Sequence, residues 1–376
     1  MIKIPFNFPT LAGNEFDYMR QALATAHLSG NGQFTARCHQ FLEGRLGGRA
    51  LLTHSCTAAL EMAALLIDIA PGDEVIMPSW TFSSTANAFV LRGAVPVFVD
   101  IRPDTLNIDE KLIERALTAR TKAICVVHYA GVGAEMDTIG RIAAAHGLKV
   151  IEDAAQGLYA TWGGRPLGTF GDLAAFSFHE TKNIIAGEGG ALMVHDPGLF
   201  RRAEIIWEKG TNRAQFKRQE VAKYNWVDLG SSYLPSDIIA AFLLAQLEHG
   251  EAITAHRLGL WQRYFNGLAD LEAQGLLTRP TIPAGCSHNG HIFYVLVGDA
   301  ARRDAILSEL TGAGVSAVIH YVPLHSAPAG IRFGRTAGPM THTDDAAARL
   351  IRLPLHPQLT HEQQDSVLAA LRRVLG

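Results

Sequence analysis

In SFHETKN, residues Ser177 to Asn183, a lysine follows an apolar run and leads into the glycine-rich GEGGA. A lysine that is desolvated and set near other cations gives up its proton more readily, and the neutral amine of Lys182 can then act as base, or as a nucleophile that condenses with an aldehyde. The ordinary alternative is a solvated surface lysine. Asp153, in KVIEDAAQG, ends a second apolar run. An acid buried there needs a cation, and alone it reads equally as a helix N-cap or a structural ion pair. Facing a protonated pyridine nitrogen, the same carboxylate would keep the ring charged and able to accept electrons. THSCTAALEM sets Ser55 and Thr57 at the mouth of a helix whose first turn is small, so a phosphate can approach its amides and its positive dipole end; the plain reading is a capped helix. Ser177, closing AAFS, offers the same phosphate another hydroxyl. Phe82, in PSWTFSS, is either core or a ring that stacks on a flat heterocycle. Each residue has an everyday explanation when taken singly. Four strand ends offering an acid, a phosphate seat, an aromatic face and a lysine form a set that does not.

The elements that must hold these residues follow from the hydrophobic pattern. From Arg49 to Val194 short apolar runs (ALLT, EVIM, VPVFVD, AICVVHY, KVIED) alternate with longer periodic ones such as TAALEMAALLID and TFSSTANAFVLRG. This reads as βαβ units around a parallel sheet with helices on both faces. AAFSFH and GALMV add two more strands. Right-handed crossovers then place a ligand at the carboxyl ends of the strands. After the helical stretch that starts at SDIIAAFLLAQLEHG, the runs HIFYVLV, ARRDAILSELTGAG and VSAVIHYVPL, with a last helix carrying Thr360 and Gln363 at capping-box spacing, predict a smaller α+β unit. The expected division is a large α/β domain over residues 1–250 and a small C-terminal domain over 251–376.

Composition narrows the function classes. A chain of 376 residues with 48% hydrophobic and 18% charged residues can bury a sizeable core. Its 33 basic and 36 acidic residues, net charge -3, leave no electrostatic footprint for nucleic acid or membrane. Pro5 and Pro9 break the segment where a signal peptide needs an apolar core, so a cytoplasmic protein is expected. The four cysteines contain no CxxC pair, which predicts neither a disulfide framework nor a zinc site. HETKN and HEQQD lack the second histidine of the zinc motif HExxH, GVGAEM lacks the third glycine of GxGxxG, and neither a Walker A loop nor a GxSxG elbow is present.

SCTAALEM, PSWTF, EDAAQ, SFHETKN with GEGGA, and KYNW together resemble the DegT/DnrJ/EryC/StrS sugar aminotransferases, and the likeness runs nearly end to end, to IRLPLHP. The resemblance implies an α/β, aspartate aminotransferase-like fold (fold type I), with a mostly parallel sheet and a smaller α+β C-terminal domain, and pyridoxal 5'-phosphate as cofactor. It implies that Lys182 carries the cofactor, that Asp153 faces its pyridine nitrogen, that Gln156 contacts its ring hydroxyl and that Phe82 stacks on the ring. Thr57, the Ala58 amide and Ser177 would hold the phosphate. Asn225, in KYNW, would reach it from a neighbouring subunit, which makes the expected unit a homodimer with shared active sites. His179 is expected beside the cofactor, orienting groups or simply buried. The LSGNGQFT loop, Tyr321 and His325 would line a sugar site, or form an ordinary turn and strand end. Lys209 and Arg213, with Lys217 and Arg218, would draw in a diphosphate, or be a solvated loop. PGDEVIMP, TANAFVLRGA, VHYAGV and GSSYL resemble the branch that aminates C4 of a nucleotide-linked 4-keto-6-deoxy sugar with L-glutamate as donor. Amination at C3, and a non-catalytic regulatory protein of the same fold, remain open alternatives.

Overall fold

The computed structural model describes residues 3–376. An eight-stranded sheet forms its centre, in the order Arg49–Thr53, Gly190–Val194, Leu173–Ser177, Lys149–Asp153, Thr121–Val127, Glu74–Pro78, Val95–Val99 and Arg335–Thr336. All strands run parallel except Gly190–Val194, which is antiparallel to both of its neighbours. That single reversal has a local cause. Leu173–Ser177 and Gly190–Val194 are joined by the twelve residues 178–189, which form no helix, and an antiparallel pair accepts such a loop where a parallel pair needs a crossover that returns along the sheet, usually a helix. The loop carries Lys182, so the reversal delivers the lysine to the same edge of the sheet as Asp153.

Alternation along the strands shows why both faces are covered. Leu51, Val75, Met77, Cys125 and Leu192 enter one buried cluster with the helices Cys56–Leu66 and Ser83–Val90. Their neighbours Ile76, Ile124 and Val126 enter a cluster on the opposite face with Met136–His146, and Leu52, Ala191 and Met193 enter one with Gln33–Leu46 and Asp237–Glu248. Period-two side chains buried on both sides are what a helix-sandwiched sheet requires.

Helix ends are set by identifiable caps. The Ser55 hydroxyl accepts the Ala58 amide at 3.1 Å to open Cys56–Leu66. Thr360 and Gln363 exchange bonds of 3.0 and 3.2 Å as a capping box on His361–Leu375. Gln33–Leu46 begins at Gly32 without a side-chain cap of its own; Asp237 supplies one from a distant helix, accepting the Phe34 and Thr35 amides at 3.2 and 2.8 Å.

Asp237–Glu248 and Gly250–Gly267 meet at His249 across a sharp bend. Beyond it, a second sheet of Leu277–Thr278, Phe293–Val297 and Leu350–Leu353 packs on Gly250–Gly267 and His361–Leu375 through Trp261, Tyr264, Phe293, Ile351 and Leu371. Ile4 joins this cluster, and Arg335–Thr336 joins the central sheet, so the chain crosses between the two packed regions at both ends. No single helix among the described residues is long and apolar enough to cross a membrane.

Candidate active site

Asp153 closes the strand Lys149–Asp153 and is 5% exposed. Its Oδ2 accepts the Thr85 hydroxyl at 2.7 Å and its Oδ1 accepts the Ala155 amide at 3.1 Å; Thr85 Oγ1 lies 2.7 Å from Thr81 Oγ1. Burial pushes the Asp153 carboxyl above its ordinary range, opposed by the Thr85 and Ala155 bonds and by the positive charge of Lys182. A buried acid without an ion-pair partner gains most from a cation brought to it.

Lys182 sits in the loop after Leu173–Ser177, its amide donating to the His179 carbonyl at 2.9 Å. Burial lowers its pKa; Cys56 and Asp153 work the other way, and the Arg352 cation adds to the lowering. The neutral amine is therefore available at lower pH than on a free lysine. Lys182 and Asp153 line one cavity of about 550 Å³, together with Thr57, Phe82, Gln156, Ser177 and His179.

One end of this cavity suits an anion. The first amides of Cys56–Leu66 have no partner within the helix and open toward it, and Thr57 Oγ1 meets Ser84 Oγ at 2.7 Å beside them. The Ala58 amide is already engaged by Ser55, so a phosphate here relies first on the amides before it and on the hydroxyls of Thr57 and Ser177. Gly190 lets its strand pack closely behind this helix start: a Cβ at this position would come within 2.5 Å of the Cys56 nitrogen.

Phe82 stands at the N-terminus of Ser83–Val90, 61% exposed as a residue. A large ring left in a cavity wall rather than packed is free to cover a flat ligand. Gln156 Oε1 accepts the Ala130 amide at 2.7 Å and its Nε2 donates to the Tyr321 hydroxyl at 3.0 Å, which leaves one Nε2 hydrogen for a ligand oxygen. Tyr321 itself lines the cavity from a left-handed backbone (φ 50°), stacked on His320 at 3.7 Å. His179 lies on the rim, half-exposed, with Nδ1 2.9 Å from Thr181 Oγ1 and Nε2 3.7 Å from Glu188.

Other expected site residues lie elsewhere. His325 is tied to Ser79 at 2.8 Å and to Asp344 at 3.3 Å and does not line the cavity. Asn225, Lys209 and Arg213 sit on an exposed segment outside it, and Arg218 is paired with Glu204 and Glu220. The LSGNGQFT loop packs against Asp237; a Cβ at Gly32 would meet that carboxylate at 2.5 Å.

Among the residues that escaped the sequence reading, Thr85 stands buried behind Asp153, and Arg257 and Arg352 line the cavity. Thr85 reaches Asp153 across 68 positions, a separation that no local pattern records. Arg257, 2% exposed, donates to the carbonyls of Gly290, His291 and Leu355 and is lowered by burial to about 10. Arg352, on Leu350–Leu353, lies over the Phe6 ring at 4.7 Å. The sequence signal available for Arg352 was a lone charge in the apolar run LIRLPLHP.

The residues present fit pyridoxal 5'-phosphate. The acid lacking a cation suits a protonated ring nitrogen, the unpaired helix amides suit the phosphate, the uncovered Phe82 ring suits the heterocycle, and the desolvated lysine suits the aldehyde.

Comparison with known proteins agrees. The sequence profile described as the DegT/DnrJ/EryC1/StrS aminotransferase family matches residues 9–372. The spore coat polysaccharide biosynthesis protein SpsC of Bacillus subtilis is 33% identical, over 99% of this chain and 97% of that protein. Among solved structures, the aminotransferase TlmJ from Streptoalloteichus hindustanus superposes with a TM-score of 0.90 at 30% identity, covering 100% of this chain and 99% of the other. NtdA from Bacillus subtilis, with the cofactor PMP bound, superposes with a TM-score of 0.88 at 29% identity, covering 100% of this chain and 86% of the other.

Proposed function

The chain belongs to the DegT/DnrJ/EryC1/StrS aminotransferase family of pyridoxal-phosphate-dependent sugar aminotransferases, and from that premise we propose that it moves the amino group of L-glutamate to C4 of a nucleotide-linked 4-keto-6-deoxy sugar. The substrate proposed is dTDP-4-keto-6-deoxy-D-glucose and the product dTDP-4-amino-4,6-dideoxy-D-galactose. The observation that carries the reading is the placement of Lys182 and Asp153 on one cavity with opposite pKa displacements, the base eased toward neutrality and the acid lacking a cation.

Pyridoxal 5'-phosphate, when bound, supplies an electrophilic carbonyl and an electron-withdrawing ring that let nitrogen pass from one carbon skeleton to another. The chain's own residues set the conditions. Asp153, fixed by Thr85 and Ala155, keeps a negative charge where the ring nitrogen holds its proton. Thr57, Ser177 and the first amides of Cys56–Leu66 anchor the phosphate, and Phe82 and Gln156 fix the plane of the ring. Lys182 Nζ takes the α-proton of the donor in the first half-reaction and returns a proton to the sugar carbon in the second. His179 on the rim orients groups entering beside it.

The working unit in this proposal is a homodimer. Tyr224, Trp226, Val227 and Leu229 form an exposed apolar run, with Trp226 79% exposed, next to Asn225. An apolar stretch of this kind beside a polar side chain without a cavity of its own supports the idea that Asn225, with Lys209 and Arg213, completes the site of a second copy. Tyr321 contacts the sugar from within the chain, and His325 supports the wall behind it through Ser79.

The test is to incubate the purified protein with L-glutamate and a panel of dTDP- and UDP-linked keto sugars, and to locate the new amine by NMR. Nitrogen at C4 of the dTDP sugar is expected; a 3-amino product overturns the substrate assignment.

A further inference from the structure

The loop that carries Lys182 and the loop that follows Asp153 are both tied to one short segment, residues 289–291, just before the strand Phe293–Val297. Asn183, next to Lys182, donates from Nδ2 to the Asn289 carbonyl at 2.9 Å. Asn289, 2% exposed, donates from its own Nδ2 to the Gln156 and Leu158 carbonyls, each at 2.8 Å. The segment is held in turn by Arg257, whose guanidinium donates to the Gly290 and His291 carbonyls at 3.0 and 2.6 Å. Gly290 takes a left-handed backbone (φ 61°) against the helix Gly250–Gly267; a Cβ there would come within 3.0 Å of the Arg257 carbonyl carbon. A buried guanidinium satisfied by main-chain carbonyls fixes the backbone that carries them.

His291 completes the tie. Its Nδ1 lies 3.0 Å from Asn183 Oδ1, and the ring lines the cavity. The direction of this bond follows from its neighbours. A carbonyl only accepts, so the group that Asn183 turns toward Asn289 is its NH2; the oxygen is left facing His291, and the ring proton lies on Nδ1. Burial holds the His291 pKa well below its ordinary value, and the Lys182 and Arg257 charges add to this, so the ring is neutral and Nε2 carries no proton. Both ends of the Asn183 side chain are thus engaged, and rotation of the main chain at 182–183 would break one of the two bonds. We propose that His291 is a positioning residue for Lys182: by holding Asn183 Oδ1 it fixes the lysine loop so that Nζ stays directed at the reacting carbon. This rests on the reading of Lys182 as the residue that joins the cofactor.

Two amide substitutions separate the ring nitrogens: in His291→Asn the side-chain NH2 stands where Nδ1 stood, and in His291→Gln where Nε2 stood. In the holoenzyme, the absorbance change on mixing with L-glutamate gives a limiting rate and a half-saturating concentration. Hydrogen exchange of the amides in residues 178–189, read by mass spectrometry, reports the loop without turnover and stands whether or not L-glutamate is the donor. His291→Gln and His291→Leu should lower the limiting rate about 10- to 100-fold, the effect of displacing a reacting group by about 1 Å, with half-saturation within about threefold of the parent. Loop exchange should quicken about fivefold, the loss of one hydrogen bond. His291→Asn should keep most of both. Asn183→Ala removes the same bond from its other end and serves if the His291 variants do not fold; adding His291→Gln to it should cost nothing further. Retention in His291→Gln but not in His291→Asn, a change in half-saturation alone, unchanged loop exchange, multiplied losses in the double variant, or equal losses in all three His291 variants that follow Tm would overturn the proposal while leaving the Lys182 reading in place. Borohydride reduction of the parent tests that reading separately: cofactor fixed at a residue other than Lys182 sinks both.

Discussion

Thr85 and Asp153 meet at 2.7 Å although 68 positions separate them, and among the described residues this hydroxyl is the one side-chain donor on the buried carboxylate. The bond ties the first turn of Ser83–Val90, which also carries Phe82 and Ser84, to the end of the central strand Lys149–Asp153. Phe82, the Ser84 hydroxyl and the acid are thereby held in one frame.

Removing that hydroxyl should show in the pH dependence of cofactor binding. Burial already raises the Asp153 pKa and Thr85 opposes the rise, so Thr85→Val pushes it higher still. The anionic form that supports a protonated ring nitrogen is lost as pH falls through the Asp153 pKa, and in the variant this loss begins at higher pH. Cofactor affinity measured by fluorescence titration across the acid range should fall about 5- to 20-fold, the cost of one hydrogen bond to a charged group. Parallel pH profiles for variant and parent would contradict the role given to Thr85.

Lys182→Ala should remove multiple turnover altogether, since among the described residues no other lysine lines the cavity to carry the proton between the two half-reactions. The variant should still bind the cofactor through the phosphate seat and Phe82, seen as retained but shifted absorbance after gel filtration. Steady turnover with L-glutamate in this variant would show that the base lies elsewhere.

Phe82 offers a test free of folding effects. The residue is 61% exposed, so Phe82→Ala should change Tm little, while loss of one aromatic stack should weaken cofactor binding about 2- to 10-fold. A large drop in Tm would mean that the ring packs rather than stacks.

The parts of this arrangement that were legible in the sequence share a cause. Strand-end residues such as Asp153, Ser177 and Lys182 sit where an apolar run stops, and a stop is visible in one dimension. Family resemblance then gave the set its chemistry. The reversal of Gly190–Val194 was not legible, because a run of apolar residues has no direction until its neighbours are known. Thr85, Arg257 and Arg352 stayed hidden for a related reason: each acts through contacts made across the fold, and a threonine in a helix or an arginine in a strand carries no local mark of what it touches. The basic cluster at Lys209, Arg213 and Lys217 shows the converse, a conspicuous local pattern that lies outside the cavity of its own chain.

Glu74 gives a prediction about stability at the far end of the sheet from the site. It begins the strand Glu74–Pro78, is fully buried, and accepts from Arg335 at 2.7 and 3.1 Å, from Arg120 at 2.5 Å and from the Thr118 hydroxyl at 2.8 Å. Arg335 is the main reason its pKa falls from 4.5 to about 2, and it fastens Arg335–Thr336 to the central sheet. A carboxyl whose folded pKa is depressed contributes stability that is present above its unfolded pKa and disappears as pH falls through the folded one. Glu74→Gln should therefore cost about 2 kcal/mol at neutral pH, a figure reduced from the full linkage because the Arg120 side chain is 65% exposed. The gap between parent and variant in urea unfolding should close between about pH 4.5 and pH 2. Turnover at 25 °C should be unaffected, because the residue sits at the amino end of its strand and the cavity at the carboxyl ends. A gap that stays constant over that acid range would assign the effect to packing rather than to charge.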